Sequence, residues 1–130
     1  MTPARSYRIL VVEDEPAVAD LLVALLRDEV YAVALARDGA AALAWLSDRH
    51  DAAERFELVL LDMMLPGIPG GRVLQHALTA RPDLPIIALS ADPHARSEGA
   101  ALGAVATLGK PFDVGELLAL VERYCAPPGR

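Results

Sequence analysis

The chain has 130 residues, 54% of them hydrophobic and 23% charged, which suits one domain with a single core and excludes wholesale disorder. With 18 acidic residues against 12 basic ones the net charge is −6, which argues against a non-specific nucleic-acid binder and against docking on an anionic membrane. The only cysteine, Cys125, permits no intrachain disulfide, and His50, His76 and His94 have no metal-ligand spacing with it.

The first stretch, MTPARSYRILVVEDE, holds an apolar run too short for a signal peptide or a membrane span, so a cytoplasmic location is expected. Within it, Ile9-Leu10-Val11-Val12 reads as a strand covered on both faces. It runs straight into Glu13, Asp14 and Glu15. Pro16 to Asp28 places Val18, Leu21, Leu22, Leu25 and Leu26 at helical spacing, with Pro16 suited to a first helical position. Tyr31 to Leu35 is a weaker strand, because alanine is a poor strand former. Asp38 can cap a helix running to Arg49, with Leu43, Trp45 and Leu46 as its large apolar residues. Asp51 to Arg55 reads as a slightly long loop.

Leu58 to Leu61 is again continuously apolar and stops on Asp62, with a Pro66-Gly67 break close behind. Gly70 to Arg81 carries Val73, Leu74, Ala77 and Leu78 on one helical face. Ile86 to Leu89 is a third continuous apolar run, followed by Ser90. Pro93 to Leu102 is the poorest helix, with Gly99 inside it. Val105 to Leu108 is a weak strand that leads into Gly109-Lys110-Pro111-Phe112. The final helix opens with Asp113 and Glu116 at capping-box spacing and presents Val114, Leu117, Leu118 and Val121. The tail from Ala126 to Arg130 cannot continue it. It is a terminus or the start of a linker.

Strand and helix alternate five times. The pattern predicts an α/β fold with a parallel sheet and right-handed crossovers. The expected organisation is one domain over residues 1–130, with its core at about 8–124. Parallel α/β sheets bind ligands outside the carboxyl ends of their strands. Glu13, Asp14, Asp62, Ser90 and Lys110 all follow apolar runs and would gather there. Each alone reads as an ordinary turn, cap or surface residue. Together they point to a site, because clustered carboxylates repel one another unless a cation joins them. Oxygen ligands favour Mg²⁺. A lysine and a hydroxyl beside that ion suit a phosphoryl group.

The segments ILVVEDEP, LVLLDMMLPGIPGG, PIIALSA and GAVATLGKPF, in this order, resemble the receiver domain of response regulators, the CheY-like domain of two-component signalling. The resemblance runs from about Arg8 to about Tyr124. It implies a doubly wound, flavodoxin-like sheet of five strands in the order 2-1-3-4-5. It implies that Asp62 is the phosphoacceptor and that Glu13, Asp14, Asp62 and the backbone carbonyl of Met64 hold Mg²⁺. Ser90 matches the switch hydroxyl, and Lys110 the lysine that pairs with Asp62 and then with the phosphate. The Lys110-Pro111 bond is expected to be cis. The implied donor is a phosphohistidine on a sensor kinase or phosphotransfer protein. The implied output is a change of protein contacts, by an output domain or by a separate target. Such a protein is a switch with self-phosphotransfer and autodephosphorylation chemistry, not a conventional enzyme.

Three residues depart from the family pattern. Thr107 stands at a second switch position, where an aromatic side chain usually changes rotamer on phosphorylation. Val105 and Ala106 stand where relatives with winged-helix outputs often carry acidic residues, which weakens the case for their charge-paired, phosphorylation-dependent dimer.

Other functions fit less well. A haloacid-dehalogenase-type phosphatase needs a second aspartate two residues after the nucleophile, where this chain has Met64. A flavin module needs a Ser/Thr/Gly-rich phosphate loop after the first strand, where this chain has Glu13-Asp14-Glu15. A receiver-like interaction module that is never phosphorylated is the remaining alternative, with Thr107 in its favour and the five site residues against it.

Overall fold

The computed structural model describes residues 7–47 and 55–125. The second predicted helix, expected to run to Arg49, ends at Trp45 with Leu46 as its C-cap, while residues 48–54, His50 among them, and the tail from Ala126 lie outside the described residues. Elements alternate as expected: β1 (Arg8–Val12), α1 (Pro16–Asp28), β2 (Ala32–Ala36), α2 (Gly39–Trp45), β3 (Leu58–Asp62), α3 (Gly70–Ala80), β4 (Ile86–Ser90), α4 (Pro93–Leu102), β5 (Ala106–Gly109) and α5 (Val114–Cys125). The five strands form one sheet in the order β2-β1-β3-β4-β5, and every neighbouring pair is parallel.

Burial follows from that order. The interior strands β3 and β4 are buried along their whole length, and β1 is buried from Ile9 onward. Continuous apolar runs are what two covered faces require. The edge strands β2 and β5 are only partly covered. That is why their sequences are weaker; each also lies one residue later than the apolar pattern predicts. One face of the sheet packs on Leu22 and Leu26 of α1 and on Leu117, Val121 and Cys125 of α5. The other packs on Ala42 of α2, on Val73, Leu74 and Ala77 of α3, and on Ala95 and Leu102 of α4.

Two helical stripes are narrower than the sequence implies. In α1, Leu22 and Leu26 are fully buried, but Leu21 is 45% exposed. A stripe at i, i+3, i+4 covers more of the helix circumference than one sheet can bury. In α5, Val114 is exposed, and Cys125 completes the buried row one turn after Val121. Burial pushes the Cys125 thiol up to about 11, so it is a core hydrophobe and not a reactive thiol. Both predicted caps form: Asp38 Oδ1 accepts from Ala41 N–H at 2.8 Å, and Asp113 Oδ1 accepts from Glu116 N–H at 2.9 Å. Among the described residues, no helix is long and apolar enough to cross a membrane.

The end of α1 carries strain. The N–H of Val30 bonds the carbonyl of Arg27 and that of Tyr31 bonds the carbonyl of Leu26. These two bonds are a Schellman motif, which needs a left-handed residue between helix and strand. That residue is Val30, at φ 64°. A β-branched side chain there is disfavoured, and at 81% exposure it gains nothing from packing. Val30→Gly should therefore raise stability by about 1 kcal/mol, the relief of strain exceeding the greater chain entropy of glycine. A thermal melt of the two proteins checks this, with a midpoint several degrees higher expected for the variant.

Candidate functional site

The chain passes from β1 to β2 on one side of the sheet and then crosses to β3 on the other side of β1. At that reversal the loops after β1 and β3 diverge and leave a crevice. The register pairs Val12 with Leu61. The next residues, Glu13 and Asp62, therefore stand side by side at the carboxyl edge. Carboxylate oxygens of Glu13, Asp14 and Asp62 all lie within 4.8 Å of one another. Glu13 is fully buried and Asp62 is 3% exposed.

Local structure holds each group. Asp62 Oδ1 accepts from Met64 N–H at 2.9 Å, so the tight turn after β3 orients the carboxylate. Gly70 lets α3 begin close to this turn, because a Cβ there would lie 2.6 Å from the Cα of Met63 and 2.7 Å from the Asp62 carbonyl oxygen. Glu13 Oε2 accepts from Glu15 N–H at 3.2 Å. Lys110 comes from beyond β5, and the Lys110-Pro111 bond is cis. Its ammonium lies 2.6 Å from Glu13 Oε1 and 3.3 Å from Asp62 Oδ2. The contact to Asp62 has hydrogen-bond geometry. The shorter contact to Glu13 Oε1 does not, so that buried oxygen is compensated in charge but keeps its lone pairs unspent.

Electrostatics follow from this crowding. Burial pushes the Glu13 carboxyl above its ordinary 4.5, the contact with Lys110 offsetting it only in part and the charge of Asp62 adding to it. Burial alone would lower Lys110, but Glu13 and Asp62 outweigh it and hold the ammonium above its ordinary 10.5. One lysine thus stays charged and still leaves the acidic set short of positive charge. A hard divalent cation fits this donor set, which is all oxygen and has an unspent buried oxygen facing the cluster.

Ser90 lies at the end of β4 and is 1% exposed. Its Oγ accepts from Asp92 N–H at 3.0 Å. Its carbonyl accepts from Lys110 N–H at 3.2 Å and from Arg96 Nη1 at 2.7 Å. Thr107 pairs with Ala88 in register and is half-buried. Met64 is 60% exposed at the rim. The sequence reading thus places Glu13, Asp14, Asp62, Ser90 and Lys110 at the same edge that the structure does. It passes over Arg96, which looks in sequence like any arginine in a polar helix. Neither exposed histidine, His76 or His94, joins the cluster.

The response regulator receiver domain family matches residues 9–122. The chain belongs to that family. It is 40% identical over 117 residues to the transcriptional regulatory protein DltR of Streptococcus agalactiae, covering 88% of this chain and 50% of that protein. The receiver spans about half the length of the curated relatives it matches. A putative response regulator from Chloroflexus aurantiacus superposes with a TM-score of 0.83 at 29% identity, over 94% of this chain and 99% of that one. The receiver domain of the sensor histidine kinase PA1611 from Pseudomonas aeruginosa gives the same TM-score, identity and coverage. That structure holds a magnesium ion in its active-site cleft.

The raised Glu13 carboxyl has a consequence for stability. A carboxyl whose pKa is higher folded than unfolded binds protons more readily in the folded state. Its contribution to stability is full below the ordinary 4.5 and is lost as pH rises through the raised value. In EDTA, the denaturant midpoint should therefore fall over that window. In Glu13→Gln that part of the pH dependence should be absent, which parallel urea titrations at stepped pH will read.

Proposed function

We propose that this receiver takes a phosphoryl group onto Asp62 from a phosphohistidine donor and changes its protein contacts as a result. The observation that carries this reading is the setting of Asp62. It is a nearly buried carboxylate at a rigid strand end, between an acidic pair and a lysine. A carboxylate oxygen of Asp62 forms the new bond to phosphorus while the bond from phosphorus to the donor imidazole nitrogen breaks. The imidazole leaves and takes up a proton. Such transfers depend on positioning and charge neutralisation. The Met64 N–H orients Asp62. Lys110, already 3.3 Å from Asp62 Oδ2, can follow the charge onto the phosphoryl oxygens. Ser90 can donate its hydroxyl to one of them.

Glu13, Asp14, Asp62 and the Met64 carbonyl would hold Mg²⁺. When bound, Mg²⁺ would supply the positive charge that neutralises carboxylates and phosphoryl oxygens together. The acyl phosphate would then be lost by hydrolysis, so the domain acts as a self-resetting switch. The donor would be a sensor histidine kinase or a phosphotransfer protein. The output would be a partner domain or target contacted through the switched surface. A module that is never phosphorylated would gain nothing from a carboxylate set that costs stability at neutral pH, and the geometry does not favour that reading.

Intact mass after incubation with Mg²⁺ and phosphoramidate tests the proposal. One added phosphoryl group is expected, absent in Asp62→Asn and absent in EDTA. No gain with either phosphoramidate or a phosphohistidine donor would sink it.

Met64 sits two residues after Asp62, with its side chain at the rim. Its apolar bulk should hinder water approaching the acyl phosphate. Met64→Asn should lose the phosphoryl group several-fold faster, measured as the decay of the phosphorylated mass after donor removal. An unchanged decay would remove that role from Met64.

A further inference from the structure

The carbonyl of Ser90 is a junction. It accepts from the backbone N–H of Lys110 at 3.2 Å and from Arg96 Nη1 at 2.7 Å. The first donor belongs to the residue whose ammonium contacts Asp62. The second belongs to α4, on the outside of the domain. The hydroxyl of the same serine accepts from Asp92 N–H. Asp92 in turn caps α4, its Oδ1 accepting from His94 N–H at 3.0 Å and its carbonyl from Arg96 N–H at 3.1 Å. Ser90 is therefore tied to the first turn of α4 twice, once through each of its oxygens.

The seat of the guanidinium is built. Ala106 and Leu108 pack on the α1 and α5 side of the sheet. Strand alternation therefore turns Thr107 and Gly109 toward the α4 side. A Cβ at Gly109 would lie 3.3 Å from Arg96 Nη1 and 3.5 Å from Cζ. The guanidinium lies against that bare backbone, on the strand face it shares with the small side chain of Thr107. Among the described residues no carboxylate is ion-paired with it. The Ser90 carbonyl and the Gly109 surface both contact it, so its position is not the by-product of a surface ion pair among the described residues.

We propose that Arg96 is the positioning residue that carries the state of Asp62 to α4 in this receiver, a task for which Thr107 is too small. The inference rests on the phosphorylation reading above. When Ser90 turns its hydroxyl to a phosphoryl oxygen, Asp92 N–H loses its acceptor. Arg96 keeps its hold on the Ser90 carbonyl, so the first turn of α4 follows Ser90 instead of detaching from it. The small Thr107 side chain and the missing side chain of Gly109 leave room for a guanidinium to do this.

The test compares unmodified and phosphorylated protein by amide hydrogen exchange across residues 92–102, in the natural sequence, in Arg96→Ala and in Gly109→Val. The second variant leaves the arginine in place but fills its seat. Intact mass is recorded for every sample. The natural sequence should show a phosphorylation-dependent change in exchange over α4. Both variants should still gain one phosphoryl group, while that change shrinks by about fivefold or more, the lower end of ordinary coupling between sites. A merely structural role would shift exchange equally in both states and leave the difference intact. A variant that is phosphorylated and keeps the full difference overturns the proposal, as does a natural sequence that is phosphorylated with no change in α4. An Arg96→Ala protein that no longer accepts the phosphoryl group places Arg96 in the transfer itself and overturns the coupling role. A natural sequence that gains no phosphoryl group overturns this inference together with the reading beneath it.

Discussion

Two buried carboxylates share one ammonium at the carboxyl edge of this sheet, and much else in the molecule answers to that shortage of positive charge. Glu13 and Asp62 stand together because β1 and β3 are parallel neighbours in register. Asp14 adds a third acidic group. Lys110 is drawn 2.6 Å from one and 3.3 Å from another. Like charges at such distances in a poorly solvated setting are costly unless a cation intervenes. The raised Glu13 carboxyl is first the cost of burying it, with the charge of Asp62 adding to that cost. The same imbalance makes the acidic cluster a suitable place for a cation. A core designed only for stability would place apolar residues here.

The scaffold tolerates this because the load falls on its stiffest part. β3 and β4 are fully buried and hydrogen-bonded on both sides. A carboxylate at the end of such a strand has little freedom to relax away from its neighbours. Beyond the strands, single hydrogen bonds from the loops set the site groups. Asp62 is set by Met64 N–H, Ser90 by Asp92 N–H, and Lys110 by its backbone bond to Ser90. A buried strand edge whose groups are set by a few loop hydrogen bonds suits a switch, because a change of charge at the edge alters what those bonds hold. Arg96 extends the same logic outward, since it joins one of those loops to a helix on the surface.

The fold was legible where burial leaves its mark on composition. The runs Ile9–Val12, Leu58–Leu61 and Ile86–Leu89 are apolar without interruption because both faces of interior strands are covered. The edge strands were harder to place, since half-covered strands obey no such rule. The helical stripes of α1 and α5 were legible in period but not in width. Leu21 lies on the predicted stripe and is nonetheless exposed, while Cys125 lies beyond it and is buried. The acidic, hydroxyl and lysine positions were legible because each lies at or just beyond the end of a strand, and parallel topology brings strand ends together.

The alternation of strands and helices, the side of the sheet where chemistry gathers and the residue types that gather there follow from the linear order of residues. These are local properties, written in period, run length and the residue after each run. Three features come instead from packing: Lys110 contacts Glu13 more closely than Asp62, Val30 adopts a left-handed conformation, and Arg96 meets the Ser90 carbonyl over Gly109. Each of these depends on how elements distant in sequence, or a helix and the strand that follows it, pack in three dimensions. Contact between side chains is set by that packing, and a linear pattern does not contain it.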